Sequence, residues 1–280
     1  MLMSTMANRY AHQLLKSRAA GTLLPVLTDE RELSLDDAYD IARSVMDIRI
    51  AQGEVPVGRK IGFSNRKLWP RYGKSGPIDA PIWSTLFDST VEFAMDNVGL
   101  HKLTKATQPR IEAELVFKLA RTPEPDIDLN GMADCLEWMA HGFEVVVSPF
   151  RHWSFEPADA VAAFGLHRAL IVGEPKMLSR QSRHNLADML SAASLSLSKS
   201  TADSTALCAA GFGSDVLDSP LHALLALHRQ LQTQPGFSPL QAGELIATGS
   251  WTDALPVKRG EVWSSAFSQL NLPGLNLSFS

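Results

Sequence analysis

The sequence predicts an α+β fold, with a helical N-terminal segment over residues 1–55 and a β-rich domain over residues 56–280 built on mixed, barrel-like sheets. Three observations predict it. Helical spacing of apolar residues dominates the first 55 positions. From Gly58 onward short apolar runs alternate with Gly and Pro. Those runs lack the regular βαβ alternation of a doubly wound sheet.

In the N-terminal part, Tyr10, Leu14 and Leu15 form a stripe that Gly21 ends. Ser34 caps a second helix, and Asp37 three residues on completes a capping-box pattern. Ala38, Ile41, Ala42, Val45 and Ile48 follow at helical spacing, and Gly53 and Pro56 close it. The runs KIGF, APIW, ELVFKL, FEVVV, ALIVG, LSLSLS, ELIATG and LNLSF read as strands. Two helical stretches interrupt them. One is a loop from Asp126 into a helix holding Ala133, Leu136 and Met139; the other opens at Ser219-Pro220 and carries Leu221, Leu224, Leu225, Leu227 and Leu231.

Composition narrows the function. The chain has 280 residues, 45% hydrophobic and 20% charged, enough for one large core. A net charge of -4 without a basic run argues against nucleic acid. Cys135 and Cys208 are far apart and make neither a disulfide framework nor a zinc pair. The N-terminus lacks an uninterrupted apolar core, so neither a signal peptide nor a membrane span is expected, and the expected compartment is the cytoplasm. A P-loop, a Gly-x-Ser-x-Gly elbow, a full dinucleotide fingerprint and a His-x-x-x-His pair are all missing.

Four segments carry potential chemistry. In Pro109–Phe117, strand alternation puts Glu112, Glu114 and Arg110 on one face. Paired carboxylates repel unless a cation sits between them, and Mg²⁺, Mn²⁺ or Ca²⁺ suits carboxylate oxygens. The same pattern also fits a solvated strand edge with Arg110 and Lys118 as counter-charges. Glu144 stands inside the apolar run Phe143–Val147, where a lone carboxylate is costly unless it is paired, metal-bound or able to reach solvent. Lys60 sits between Gly58 and Gly62, as a proton carrier or as a snorkelling surface lysine. The loop Ala247–Thr252, with Ser250 and Thr252, offers hydroxyls and N–H groups suited to a carboxylate, or makes a plain turn. His167 is the one histidine kept as a possible neighbour of such a site.

Taken in order, these motifs resemble the fumarylacetoacetate hydrolase superfamily, and within it the 2-keto-4-pentenoate hydratase and 4-oxalocrotonate decarboxylase branch. The likeness spans nearly the whole chain, from Asp37-Ala38-Tyr39 through Gly58–Gly62, Pro81-Ile82-Trp83, Pro109–Glu114, Gly142-Phe143-Glu144, Val216–Leu221 and Gly249–Thr252 to Leu277-Ser278-Phe279. The resemblance implies the superfamily's β-rich catalytic domain and homo-oligomers. It implies Glu112, Glu114 and Glu144 as ligands of Mg²⁺ or Mn²⁺, Lys60 and, on a looser match, Asp79 as catalytic groups, and Arg110, His167, Ser250 and Thr252 around the substrate.

The implied reaction is hydration of a 2-hydroxy-2,4-dienoate to a 4-hydroxy-2-oxo acid in the breakdown of aromatic compounds. Decarboxylation of a 2-oxo-dioate or hydrolysis of an acylpyruvate would use the same enolate chemistry. A catalytically silent metal-binding subunit, partnered with a pathway enzyme, is the alternative of another class. The chain departs from the pattern in two places: Val147 stands where an Asp is common, and Val161–Gly165 lacks an expected acid.

Overall fold

The N-terminal helices form where apolar spacing and capping predict them. The computed structural model describes residues 2–66, 81–201 and 204–280. Helix α1 (Leu2–Ala20) buries Tyr10, Ala11 and Leu14, and a single turn, α2 (Leu27–Glu30), buries Leu27. Helix α3 (Leu35–Ala51) starts at the predicted box: the Asp37 N–H donates to Ser34 Oγ, and the Ser34 N–H donates to the Asp37 carboxylate. Such a cap contributes about 1 kcal/mol. Ala38, Ile41 and Val45 face inward from it.

Strands β1 (Pro56–Gly62), β2 (Ile82–Phe87), β3 (Val91–Phe93), β4 (Val98–His101) and β5 (Arg110–Leu119) follow. After a short α4 (Leu129–Asp134) comes β6 (Leu136–Val146), then α5 (Pro157–Ala162), β7 (His167–Val172) and β8 (Lys176–Met177). Next are α6 (Arg180–His184), α7 (Leu186–Ala192), β9 (Ser194–Ser200), β10 (Thr205–Phe212) and α8 (Pro220–Thr233). The chain closes with β11 (Leu245–Ala247), β12 (Leu255–Pro256), β13 (Val262–Ser268) and β14 (Asn276–Phe279).

Among the described residues the strands form two mixed sheets. The larger has the order β2-β1-β11-β5-β6-β7-β3, with β12 beside β5 and β8 beside β6; the smaller has the order β10-β9-β13-β14-β4. In the larger sheet β1 runs parallel to β11, and β3 to β7, while the other pairings are antiparallel. Gly58 is needed where β1 meets β11, because a Cβ there would land on the Leu245 carbonyl.

One continuous core joins both parts of the chain. It runs from Tyr10, Leu14 and Ile41 through Ile111, Ala113, Leu115 and Phe117 of β5 to Leu277 and Phe279. A smaller cluster, with Leu86, Val116, Ala140, Leu170 and Leu245, packs on the opposite face of the large sheet. Full burial of each such side chain contributes roughly 1.5–3 kcal/mol. No helix among the described residues is long and apolar enough to cross a membrane.

One helix is shorter than its sequence suggests. The expected helix holding Ala133, Leu136 and Met139 stops at Asp134, and Leu136 to Val146 is a strand. Its residues are almost all buried because it lies centrally, between β5 and β7. A strand buried on both faces shows no polar alternation, so periodicity does not separate it from a helix. Thr205–Phe212 and Val262–Ser268 also pair as strands, although neither is among the apolar runs read as strands from the sequence.

Candidate metal centre

Strand alternation turns the odd residues of β5 into the core, so Glu112 and Glu114 share the other face. The β5–β6 register then sets Glu144 directly opposite Glu112. Like charges facing each other across a ladder are destabilising. One carboxylate oxygen from each of Glu112, Glu114 and Glu144 lies within 4.8 Å of the others, the spacing a single ion would bridge. Glu114 and Glu144 are fully buried, and Glu114 Oε1 has no hydrogen-bond partner among the described residues. An orphaned buried carboxylate oxygen is expensive, and hard cations take oxygen donors, so the donor set fits Mg²⁺, Mn²⁺ or Ca²⁺.

The neighbours fix these carboxylates. Lys60 Nζ is 3.0 Å from Glu144 Oε2 and donates to the Gly165 carbonyl at 3.1 Å. The Gly249 N–H donates to Glu114 Oε2 at 3.0 Å. Gly249 has a φ of 99°, and a Cβ there would strike Ser64 Oγ, so glycine is required for this approach. The N–H groups of the 247–252 loop were expected to hold a substrate carboxylate; this one holds a protein carboxylate instead.

Electrostatics follow from crowding three acids around one ammonium. Burial pushes the Glu112 carboxyl up to about 7, with Lys60 pulling the other way and Glu144 adding to the rise. Burial and the charges of Glu144 and Glu112 hold Glu114 well above the usual carboxylate range. Burial opposes the charge on Glu144 too, but Lys60 and His167 outweigh it and keep that carboxyl low. Burial disfavours the Lys60 ammonium, yet the carboxylates of Glu144, Glu112 and Glu114 hold it above the ordinary lysine range. Three carboxylates facing one amine thus outweigh its burial.

A cavity of about 450 Å³ opens over this centre. Lys60, Arg110, Glu112, Ser250 and Thr252 line it. Phe63, Ile82, Trp153, Phe155 and Leu166 make an apolar wall that spacing did not single out. The Arg110 guanidinium stacks over Trp153, 4.1 Å from the ring centre. Ser250 Oγ and Thr252 Oγ1 donate to the carbonyls of Thr252 and Asp253. His167, expected at the substrate, does not line this cavity: it is buried behind Glu144, with Nδ1 2.6 Å from Glu144 Oε1. Asp79 lies outside the described residues.

No family model matches the chain. Curated relatives and solved structures do. It is 28% identical over 246 residues to a 2-hydroxyhexa-2,4-dienoate hydratase of Comamonas testosteroni, covering 87% of this chain and 86% of that one. It is 26% identical to a 2-keto-4-pentenoate hydratase of Paraburkholderia xenovorans (strain LB400), covering 90% and 88%. A 4-oxalocrotonate decarboxylase from Pseudomonas putida G7, solved with magnesium and adipate, superposes with a TM-score of 0.84 at 23% identity, over 99% of this chain and 98% of that one. Over most of its length the chain is thus similar to dienoate hydratases and to a 4-oxalocrotonate decarboxylase, and it shares the fold of the latter.

The segment ahead of β7 turns on left-handed backbone, with φ of 62°, 58° and 64° at Phe164, Gly165 and Leu166. Two bulky residues at such angles cost roughly 1–2 kcal/mol each. The turn carries the Gly165 carbonyl to Lys60 and delivers His167 to Glu144.

Proposed function

We propose that this chain is a metal-dependent hydro-lyase that adds water to a 2-hydroxy-2,4-dienoate and forms a 4-hydroxy-2-oxo acid, within aromatic-compound degradation. The observation that carries the reading is the convergence of Glu112, Glu114 and Glu144 with Lys60 beneath one cavity. The names of the relatives point to the same reaction class.

Glu112, Glu114 and Glu144 would hold Mg²⁺ or Mn²⁺. When bound, that ion would supply Lewis-acid positive charge beside the substrate oxygens. Arg110, Ser250 and Thr252 orient the substrate carboxylate from the cavity wall. Ketonisation takes the proton from the C2 hydroxyl and places one on C5. Water then adds its hydroxyl at C4 and a proton at C3. Lys60, held at the cavity wall by Glu144 and the Gly165 carbonyl, moves protons to the carbon chain. Phe63, Ile82, Trp153 and Leu166 cover the chain and limit bulk water. The protein works as a cytoplasmic homo-oligomer.

Purified protein with Mg²⁺ and 2-hydroxypenta-2,4-dienoate or its hexa homologue is expected to bleach the dienol absorbance and yield a 4-hydroxy-2-oxo acid by mass spectrometry. Release of CO₂ from a 2-oxo-dioate without dienol hydration refutes the reading, as does a lack of bleaching with either substrate.

A further inference from the structure

We propose that His167 and Thr90 are positioning residues that lock Glu144 in its metal-binding orientation, and that the left-handed turn before β7 places the histidine. The proposal rests on Glu144 being a metal ligand.

Glu144 stands at the middle of the large sheet, with no solvent to hold its carboxylate in place. Its two oxygens are held from opposite sides. Lys60 approaches Oε2 from the cavity, and His167 Nδ1 meets Oε1 from behind. The imidazole is itself pinned, because Nε2 is 3.0 Å from Thr90 Oγ1. Thr90 Oγ1 also lies 3.0 Å from the Phe87 carbonyl, which holds the hydroxyl between the ring and the backbone. All of these side chains are buried. A carboxylate that accepts from a rigid imidazole loses its freedom to rotate, leaving one edge to face Glu112 and Glu114.

The backbone around His167 is organised for this contact. Three consecutive left-handed residues, two of them bulky, precede it. A β-bulge between Val145 and Val146 shifts the register so that His167 pairs with Val146. Arg18 of α1 donates to the carbonyls of both His167 and Arg168, and its guanidinium covers the Phe164 ring at 4.9 Å. The N-terminal helix thereby braces the start of β7. Backbone strain held by such an over-determined surround is characteristic of functional sites. The turn thus brings a histidine to the ligand at the first position of β7.

Outer-sphere partners of metal ligands are worth about 10–100-fold in metal affinity. Calorimetric titration of metal-free protein with Mn²⁺ tests the proposal, using wild type, Glu144→Gln, His167→Leu, His167→Asn and Thr90→Val. The expected result is roughly a 10–100-fold loss in His167→Leu and a smaller loss in Thr90→Val. His167→Asn, whose amide N–H replaces the Nδ1 donor, recovers most of the affinity. Circular dichroism confirms that each titrated variant is folded; if His167→Leu does not fold, the Asn and Thr90→Val arms decide. Weakened binding in Glu144→Gln with wild-type affinity in folded His167 and Thr90 variants overturns the proposal alone. Wild-type protein without Mn²⁺ binding overturns the reading of Glu144 beneath it.

Discussion

Replacing Lys60 by Met removes the one ammonium set among three carboxylates. Lys60 Nζ and Glu144 Oε2 are 3.0 Å apart, with side-chain exposures of 4% and 0%. At an effective dielectric near 20 the Coulomb attraction at that distance is roughly 5–6 kcal/mol. Desolvation offsets part of it, and breaking one half of a buried pair costs about 3–5 kcal/mol, because the other charge is left buried and unpaired. For a chain of this size that loss lowers Tm by roughly 5–9 °C. The assay is thermal unfolding of metal-free protein, followed by circular dichroism. Lys60→Met is expected to fall by that amount, and Lys60→Met/Glu144→Gln to regain part of it, since the orphaned charge is gone. Saturating Mg²⁺ shrinks the loss in the single variant. A Lys60→Met protein as stable as wild type without metal refutes the coupling, as does a double variant that regains nothing.

Further outcomes follow from the same centre. Glu112 holds its proton up to about pH 7 in the folded metal-free protein, against an ordinary value of 4.5. Between these values Glu112 makes the folded state bind more protons, while the buried imidazoles of His141 and His167, held below the ordinary histidine value, act the opposite way. The Glu112 share therefore shows as a Tm that falls more steeply with rising pH in metal-free wild type than in Glu112→Gln. Saturating Mg²⁺ binds the deprotonated form and reverses that share, and unfolding curves of both proteins from pH 4.5 to 7.5 check both signs. Gly249→Ala adds a side chain at a φ of 99° and against Ser64, which draws the N–H away from Glu114. Mn²⁺ affinity is expected to drop about 10-fold or more by calorimetry, as for loss of other outer-sphere bonds.

Much of the fold could be read from local chemistry. The Ser34–Asp37 box fixes where α3 begins, and strand alternation alone puts Glu112 and Glu114 on one face. What alternation does not tell is where that face points, which is why a solvated edge fitted equally well. The β5–β6 register, pairing residues more than thirty positions apart, brings Glu144 opposite Glu112. No local pattern encodes that pairing; only the order of motifs along the chain pointed to it. The misjudged helix at Leu136 has a physical origin too: a central strand buried on both faces loses the alternation that would mark it. The role of His167 depended on the turn at Phe164–Leu166, whose left-handed backbone bulky residues adopt only under tertiary constraint. Thr90 carried no sequence signal, since its part is defined by a ring nitrogen 77 residues away.

Anomalous diffraction from crystals soaked with Mn²⁺ and oxalate tests the central claim most directly. The predicted result is one manganese peak bound by Glu112, Glu114 and Glu144, with oxalate reaching it from the cavity side that holds Lys60 and Arg110. A manganese peak elsewhere, or oxalate in the cavity with the three glutamates unmetallated, contradicts it.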